Sequence, residues 1–481
     1  GLGYKSNYLT FPDFKSDTEK SASHGGSRRH YTGNSYGRFD NARTAGAGGT
    51  SYSSYKGWGG GVLSIAANTV TLDGSLSANG FAGNALGGAG GSVNLDVTTL
   101  TGSATGSISA NGGASRYDYT DINGYSSGAG GRVSIYTQDR TQYLGQTSAA
   151  SANKSVAGAG TVYFQNAVEK YGDLYIDNAD AIAQSGSTPL RSVGRHEIIG
   201  AYQATPGVWK VEVAGKPWQP TNTELQYGVD GLEVDLDASE NGSALYTIIK
   251  NTEHVLEIHT NDDLLPMVGN ELVGVQTFKT LTVTGGASLD LGDDRLVVLD
   301  LDNSVIEKDS SLLLGEMEPE LFALIETSGG AITLRKSLNA DVLELKNLGE
   351  GKLYFDEKVQ LSSLSLTSGW VYFYGGLNVT GDITISNDGS YLMALELIAN
   401  NLTLNDAKMR SENLFVSNNL TLNGSSELLT YSSNTDEKHL YKLNITAGGS
   451  VFVSEASSIH VDGLGYKSNY LTFPDFKSDT E

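Results

Sequence analysis

Three short phrases in the last quarter of the chain set a folding period. LNVTGDITI at 377–385 resembles LFVSNNLTL at 414–422, and NLTL at 401–404 lies between them. Aligned on Ile383, Leu402 and Leu420, the phrases recur after 19 and then 18 residues. Within each phrase apolar and polar residues alternate, which turns one row of side chains inward from an extended strand. A step near 18 residues matches one coil of a β-solenoid and is too short for a propeller blade. Leucine-rich repeats share the period, but their L-x-x-L-x-L spacing and helix-forming half are missing. No window shows a sustained 3.6-residue period.

The first 140 residues follow the same scheme in a glycine-rich alphabet. Clusters at 59–61, 87–91 and 128–131 lead into the alternating runs Val62 to Ile65, Val93 to Leu95 and Val133 to Ile135. Glycine at a coil corner lets neighbouring backbones approach. A second phrase, LSANG at 76–80, returns as ISANG at 108–112 and more loosely as IHVDG at 459–463. No Gly-X-Y period exists, which excludes collagen.

The texture changes between Pro189 and Pro266, which bracket five of the eight prolines together with Trp209 and Trp218. Longer, better separated strand patterns here read as a small β-sandwich-like module inserted in the stack. The expected organisation is a glycine-rich solenoid over 1–192, the inserted all-β module over 193–275, and a leucine-rich solenoid over 276–481.

The chain also re-enters its own beginning. GLGYKSNYLTFPDFKSDTE occupies both 1–19 and 463–481 without a mismatch. This identity reads as one period of a head-to-tail array, with neighbouring repeats of the same chain as covalent partners. Tyr4, Tyr8, Phe11 and Phe14, with Tyr466, Tyr470, Phe473 and Phe476, become the expected residues of the joint between units. An array also protects the open ends of a solenoid, which would otherwise be free pairing edges.

Composition narrows the functions. The net charge of −23 disfavours nucleic acid and anionic membrane surfaces. The absence of cysteine excludes disulfides and thiolate metal sites. No run approaches the ~18 apolar residues of a membrane-spanning helix. The chain opens at Gly1 with no signal peptide, so its native start is expected elsewhere.

The glycine-rich block, from SHGG at 23–26 through GAGGRVSIY at 128–136, resembles the right-handed parallel β-helix segments of large bacterial surface proteins. These are filamentous-haemagglutinin-like adhesins and extracellular filament proteins. The resemblance covers roughly residues 1–165 and the repeated segment. It implies export, a bacterial cell-surface or biofilm-matrix location, and a role in adhesion or assembly, with adjacent filaments or surface glycans as further partners. It carries over no catalytic residue.

Candidate chemistry is sparse. Asp118, Asp121 and Asn123 precede Gly124 in a loop of hard oxygen donors, the arrangement Ca²⁺ takes, although no Glu follows at the usual distance. No cofactor is otherwise required. Asp290, Asp293, Asp294, Asp300 and Asp302 alternate with leucines and read as outward carboxylates of a half-buried strand. Asp341, Glu344 and Lys346, or Asp356, Glu357 and Lys358, would supply acid–base types to a β-helical polysaccharide-active enzyme. Nothing marks a groove around either triplet, and no enzyme is expected. His24 and His30 flank Arg28 and Arg29 in a basic spot suited to an acidic neighbouring surface. Trp209, Trp218 and Tyr227 could stack on sugar rings, giving a carbohydrate-binding adhesin as the rival reading, although packing inside the module is the preferred account of them. The seven Asn-x-Ser/Thr sites fit solenoid turns, where Asn tolerates left-handed backbone.

Overall fold

The computed structural model describes residues 23–27, 35–49, 57–83, 87–115, 127–152, 157–181, 186–224, 226–239, 244–326, 328–346, 348–431 and 442–462. Both copies of the nineteen-residue repeat lie outside these residues, as does the Asp118–Asn123 loop. The described chain is all-β, dominated by parallel pairing, with only two short 3₁₀ helices. It forms two compact units, Gly1–Leu324 and Ile325–Glu481.

The first unit begins with two parallel ladders. In one, Val62–Thr71, Ser92–Thr101, Arg132–Asp139 and Thr161–Gln165 stack in order. In the other, Ser75–Ser77, Ser107–Ser109 and Gln146–Ser148 stack, and Leu76 meets Ile108, so the recurring phrase forms successive rungs. The ladders touch at glycine corners, where the N–H groups of Gly91, Gly131 and Gly160 donate to the carbonyls of Ala78, Ala110 and Ala149, each at 2.7 Å. Only glycine fits there: a Cβ on Gly131 would lie 2.1 Å from the Gly91 carbonyl oxygen. Val93, Leu95, Val133 and Ile135 alternate inward and are fully buried.

These strands are covered on their second face as well, by residues 35–46. The Ser92 hydroxyl donates to the Thr44 carbonyl (2.6 Å), the Ala42 N–H to the Ser134 hydroxyl (3.0 Å), and the Arg132 Nε to the Tyr36 carbonyl (2.9 Å). The sheet then reverses. Thr161–Gln165 and Asp173–Asp177 pair antiparallel, Tyr163 opposite Leu174 and Val162 opposite Tyr175. Because side chains alternate, Leu174 and Ile176 share the face of Tyr163, opposite to Val162. Leu281 and Val283 join them in parallel. The core therefore passes from one face of a continuous seven-stranded sheet to the other. Beyond this crossing, three parallel ladders advance together, pairing Val275 with Arg295, Thr282 with Val305 and Leu289 with Leu312.

Between Val193 and Val275 the chain leaves the ladder and returns. Arg195–Thr205, Val208–Val213, Val255–His259, Leu245–Asn251, Glu233–Asp235 and Glu271–Phe278 pair antiparallel in that order, and the last pairs back with the first. The expected inserted module is thus a closed ring of six antiparallel strands around one core. Bulges near Ile198 and Gln203 bend the first strand so that it serves two neighbours. Glu271–Phe278 belongs to both systems: Val275 pairs antiparallel with Glu233 and parallel with Arg295.

The described part of the second unit pairs through parallel ladders alone. Ala331–Leu334, Lys352–Phe355, Trp370–Phe373, Tyr391–Ala399, Lys408–Val416, Glu427–Thr430 and Ser458–His460 form one. In another, Ile383 pairs with Leu402 and Leu402 with Leu420, the register the 19- and 18-residue intervals specify. All three of these side chains are fully buried, as are Leu392, Leu404 and Leu422. Asparagines stack outside: the Asn423 amide donates to the Asn405 oxygen (2.9 Å), and Asn405 donates to the Ser386 hydroxyl (3.3 Å). Ile459, from the third copy of the SANG-like phrase, pairs with Leu428.

Candidate functional site

The sequence-derived site residues fare differently. The joint aromatics, the Ca²⁺ loop residues and His30 with Arg28 and Arg29 lie outside the described residues. Trp209 and Trp218 are core residues of the six-stranded ring, 5% and 7% exposed, and neither offers a ring face to a sugar. The pattern Val208-Trp-Lys-Val-Glu-Val213 explains this, because alternation puts Trp209 on the same side as buried Val211 and Val213. The Trp218 indole N–H donates to the Val193 carbonyl (2.8 Å). Tyr227 is half-buried in the same module. Glu344 and Lys346 pair on the surface at 2.5 Å, each 55% exposed, and Asp356, Glu357 and Lys358 are all exposed. Neither triplet lies in a cleft that the structure outlines. Among the described residues, no group of three or more His, Asp or Glu side chains is placed to hold a metal ion.

Asp290 and Asp294 are not the outward carboxylates that their alternation with leucines suggests. Both are buried, Asp294 completely. Asp294 pins the point where the chain enters and leaves the six-stranded ring. Its carboxyl accepts from the Ser192 hydroxyl (2.8 Å), the Gly194 N–H (2.7 Å), the Val193 N–H (3.4 Å) and the Gln276 amide (2.7 Å). Gly274 makes room, since a Cβ there would lie 2.2 Å from the carboxyl oxygen. Burial pushes the Asp294 carboxyl up to about 6, against four donors that favour its charged form.

A second polar cluster ties residues 23–27 and 35–46 to the rest of the first unit. His24 is fully buried, with Nδ1 2.8 Å from the Gly90 carbonyl and Nε2 2.8 Å from the Thr44 hydroxyl. Burial, followed by the charge of Arg132, drives its imidazole down to about 3. Arg38 bridges Asp40 (2.5 Å) and Asp230 (3.3 Å), and Arg191 reaches Asp230 (3.4 Å). Burial opposes ionisation of Asp40, but its hydrogen bond and ion pair with Arg38 hold the carboxyl below its usual range. These groups satisfy one another. They can clamp a segment of the chain.

A cleft of about 560 Å³ in the same unit is walled by Tyr143, Phe164 and Tyr175 with Arg140 and Asp177 at its edge. The Arg140 guanidinium lies 3.8 Å over the Phe164 ring and bridges Asp173 at 3.0 Å. Its cation, Arg140, is thus already matched by Asp173.

Two surface features of the second unit stand apart. The first is a cluster of outward aromatic rings. Tyr354 and Tyr372 stack at 4.7 Å, Tyr372 and Tyr391 lie at 5.7 Å, and Trp370 and Tyr391 at 5.6 Å. It was readable from KLYF at 352–355 and WVYF at 370–373, which align at the 18-residue step. The second feature is the last described rung. Val451 and Val453 continue the inward columns of Leu420 and Leu422, yet are 50% and 40% exposed. At the start of the first unit, Leu63 and Ile65 are likewise only partly buried, while their partners Val93 and Leu95 are fully buried.

No family model matches the chain, and neither a curated protein nor a solved structure matches it. Among the described residues no helix is long and apolar enough to cross a membrane.

Proposed function

We propose that the chain is a structural repeat unit of an extracellular filament or adhesin. In this reading the parallel rungs form right-handed β-helices, the six-stranded ring projects from the stack, and the next copy continues the chain head to tail. The observation that supports it is the last described rung: apolar columns that are sealed at Leu420 and Leu422 run out into Val451 and Val453, which no further rung covers among the described residues. A parallel ladder left uncapped exposes both apolar side chains and unpaired backbone groups, and another rung satisfies both. The identity of 463–481 with 1–19 supplies that continuation from the same sequence.

Assembly of this kind needs no catalytic group. Its strength comes from many weak contacts repeated along one axis. A bacterial surface or biofilm matrix suits such a chain, since without cysteine it does not depend on the redox state of its surroundings. Electron microscopy of the concentrated protein tests the proposal. Unbranched fibres are expected; discrete particles at every concentration would overturn it.

A further inference from the structure

The aromatic cluster lies on two outward columns of the longest ladder in the second unit. One runs from Lys352 through Trp370 and Tyr391 to Lys408 and Glu427, the other from Tyr354 through Tyr372 and Met393 to Arg410. Folding does not demand rings here. The neighbouring ladder, equally regular, carries Thr384, Thr403 and Thr421 in its outward column. Trp370 and the adjacent Tyr374 remain 44% and 42% exposed.

Charge singles out the same face. In a chain of net charge −23, these columns hold Lys352, Lys408 and Arg410 against one carboxylate, Glu427. Lys408 and Glu427 pair at 3.3 Å, whereas Lys352 and Arg410 form no ion pair among the described residues. The Lys352 ammonium lies 5.5 Å from the Trp370 ring centre, and Arg410 lies close enough to Tyr391 to lower its hydroxyl pKa against the larger, opposite effect of burial. Aromatic rings beside cations suit a ligand with apolar C–H faces and spaced negative charges. A polymer of uronic acids has both, since pyranose faces stack on aromatic rings and each carboxylate sits at a ring edge. A duplex nucleic acid, with about one charge per 1.7 Å and its base faces stacked inside, would be repelled more strongly and offers the rings less; a single strand is the rival that the displacement test below separates.

We propose that this face binds an acidic polysaccharide, with Trp370 and Tyr391 stacking on sugar rings while Lys352 and Arg410 meet the carboxylates. The site is separate from the open rung and does not depend on filament assembly.

Affinity electrophoresis of the full chain through gels containing polygalacturonate, dextran or neither tests it, alongside tryptophan emission. Trp209 and Trp218 are buried, so an emission change that disappears with Trp370→Phe reports on this face. Polygalacturonate is expected to retard the intact chain and shift its emission. Trp370→Ala with Tyr391→Ala, and separately Lys352→Gln with Arg410→Gln, should each weaken binding at least about tenfold, or ~1.4 kcal/mol, with far-ultraviolet dichroism unchanged. No retardation, equal retardation by dextran, or undiminished binding by the folded aromatic variant would overturn the proposal. Equal displacement of polygalacturonate by oligothymidylate would also overturn it, in favour of a nucleic acid. Should the aromatic variant fail to fold, the Lys352→Gln, Arg410→Gln variant and the emission of the intact chain still decide.

Discussion

Val453 sits directly above Leu422 in one inward column; Leu422 is fully buried and Val453 is 40% exposed. The two side chains point the same way from paired strands, and among the described residues a further rung follows Leu422 but not Val453. Leu422→Ala is therefore expected to cost about 2–5 kcal/mol, the range for emptying a packed core site. Val453→Ala should cost well under half of that. Denaturant unfolding of the two variants checks the contrast, and equal losses would mean that Val453 is already covered.

The buried carboxyl of Asp294 sets a pH dependence. Its folded-state pKa, about 6, lies above the ordinary 3.8, so the native state holds the proton after the unfolded chain has released it. The associated stability is present below about pH 4 and lost as pH rises through 6, in total on the order of 3 kcal/mol. Asp294→Asn should remove this slope. Melting temperature against pH for the two proteins measures it, and parallel curves between pH 4 and 6.5 would contradict the assignment.

His24 acts in the opposite sense. Its imidazole is held neutral with a folded-state pKa of about 3 against an ordinary 6.5, so the unfolded chain takes up the proton first. Its contribution is complete above about pH 6.5 and declines as pH falls toward 3. His24→Gln should remove that part of the acid sensitivity. Hydrogen exchange of the Gly90 and Gly91 region at pH 4.5 and 7, compared as protection relative to the intrinsic rate at each pH, provides the local readout, and equal protection at both would count against the mechanism.

Outside the core, Asn405 links Asn423 to Ser386 along one outward column. Asn405→Ala removes two hydrogen bonds at a partly exposed site and should cost about 1 kcal/mol. The adjacent inward residue, Leu404, is fully buried, and its replacement by alanine should cost several times more. Comparable losses would show that the asparagine column, and not the apolar one, holds the rungs in register.

Register along the second unit was legible because each rung repeats its alternation at nearly constant length. Ile383, Leu402 and Leu420 could be aligned by eye, and they pair as aligned. Leu76 and Ile108 were equally readable, despite their longer spacing, because Ser-Ala-Asn-Gly marks the corner. The ring of six strands was not. Its closure depends on Arg195 meeting Val273 across the whole insertion, and no local pattern encodes that pairing. The burial of Asp294 was hidden for the same reason, since its donors Ser192 and Gly194 lie about a hundred residues earlier. Trp209 was different: strict alternation with Val211 and Val213 already placed it in a core, and its aromatic character suggested a surface role only when that alternation was ignored.

The proposal of end-to-end assembly stands or falls on the last rung. Sedimentation velocity of the full chain over a wide concentration range, beside a Val451→Asp, Val453→Asp variant, tests it most directly. The intact chain is expected to form linear oligomers that lengthen with concentration, while the variant stays monomeric with an unchanged melting temperature. A monomeric intact chain at every concentration, or a variant that associates equally well, would contradict the account.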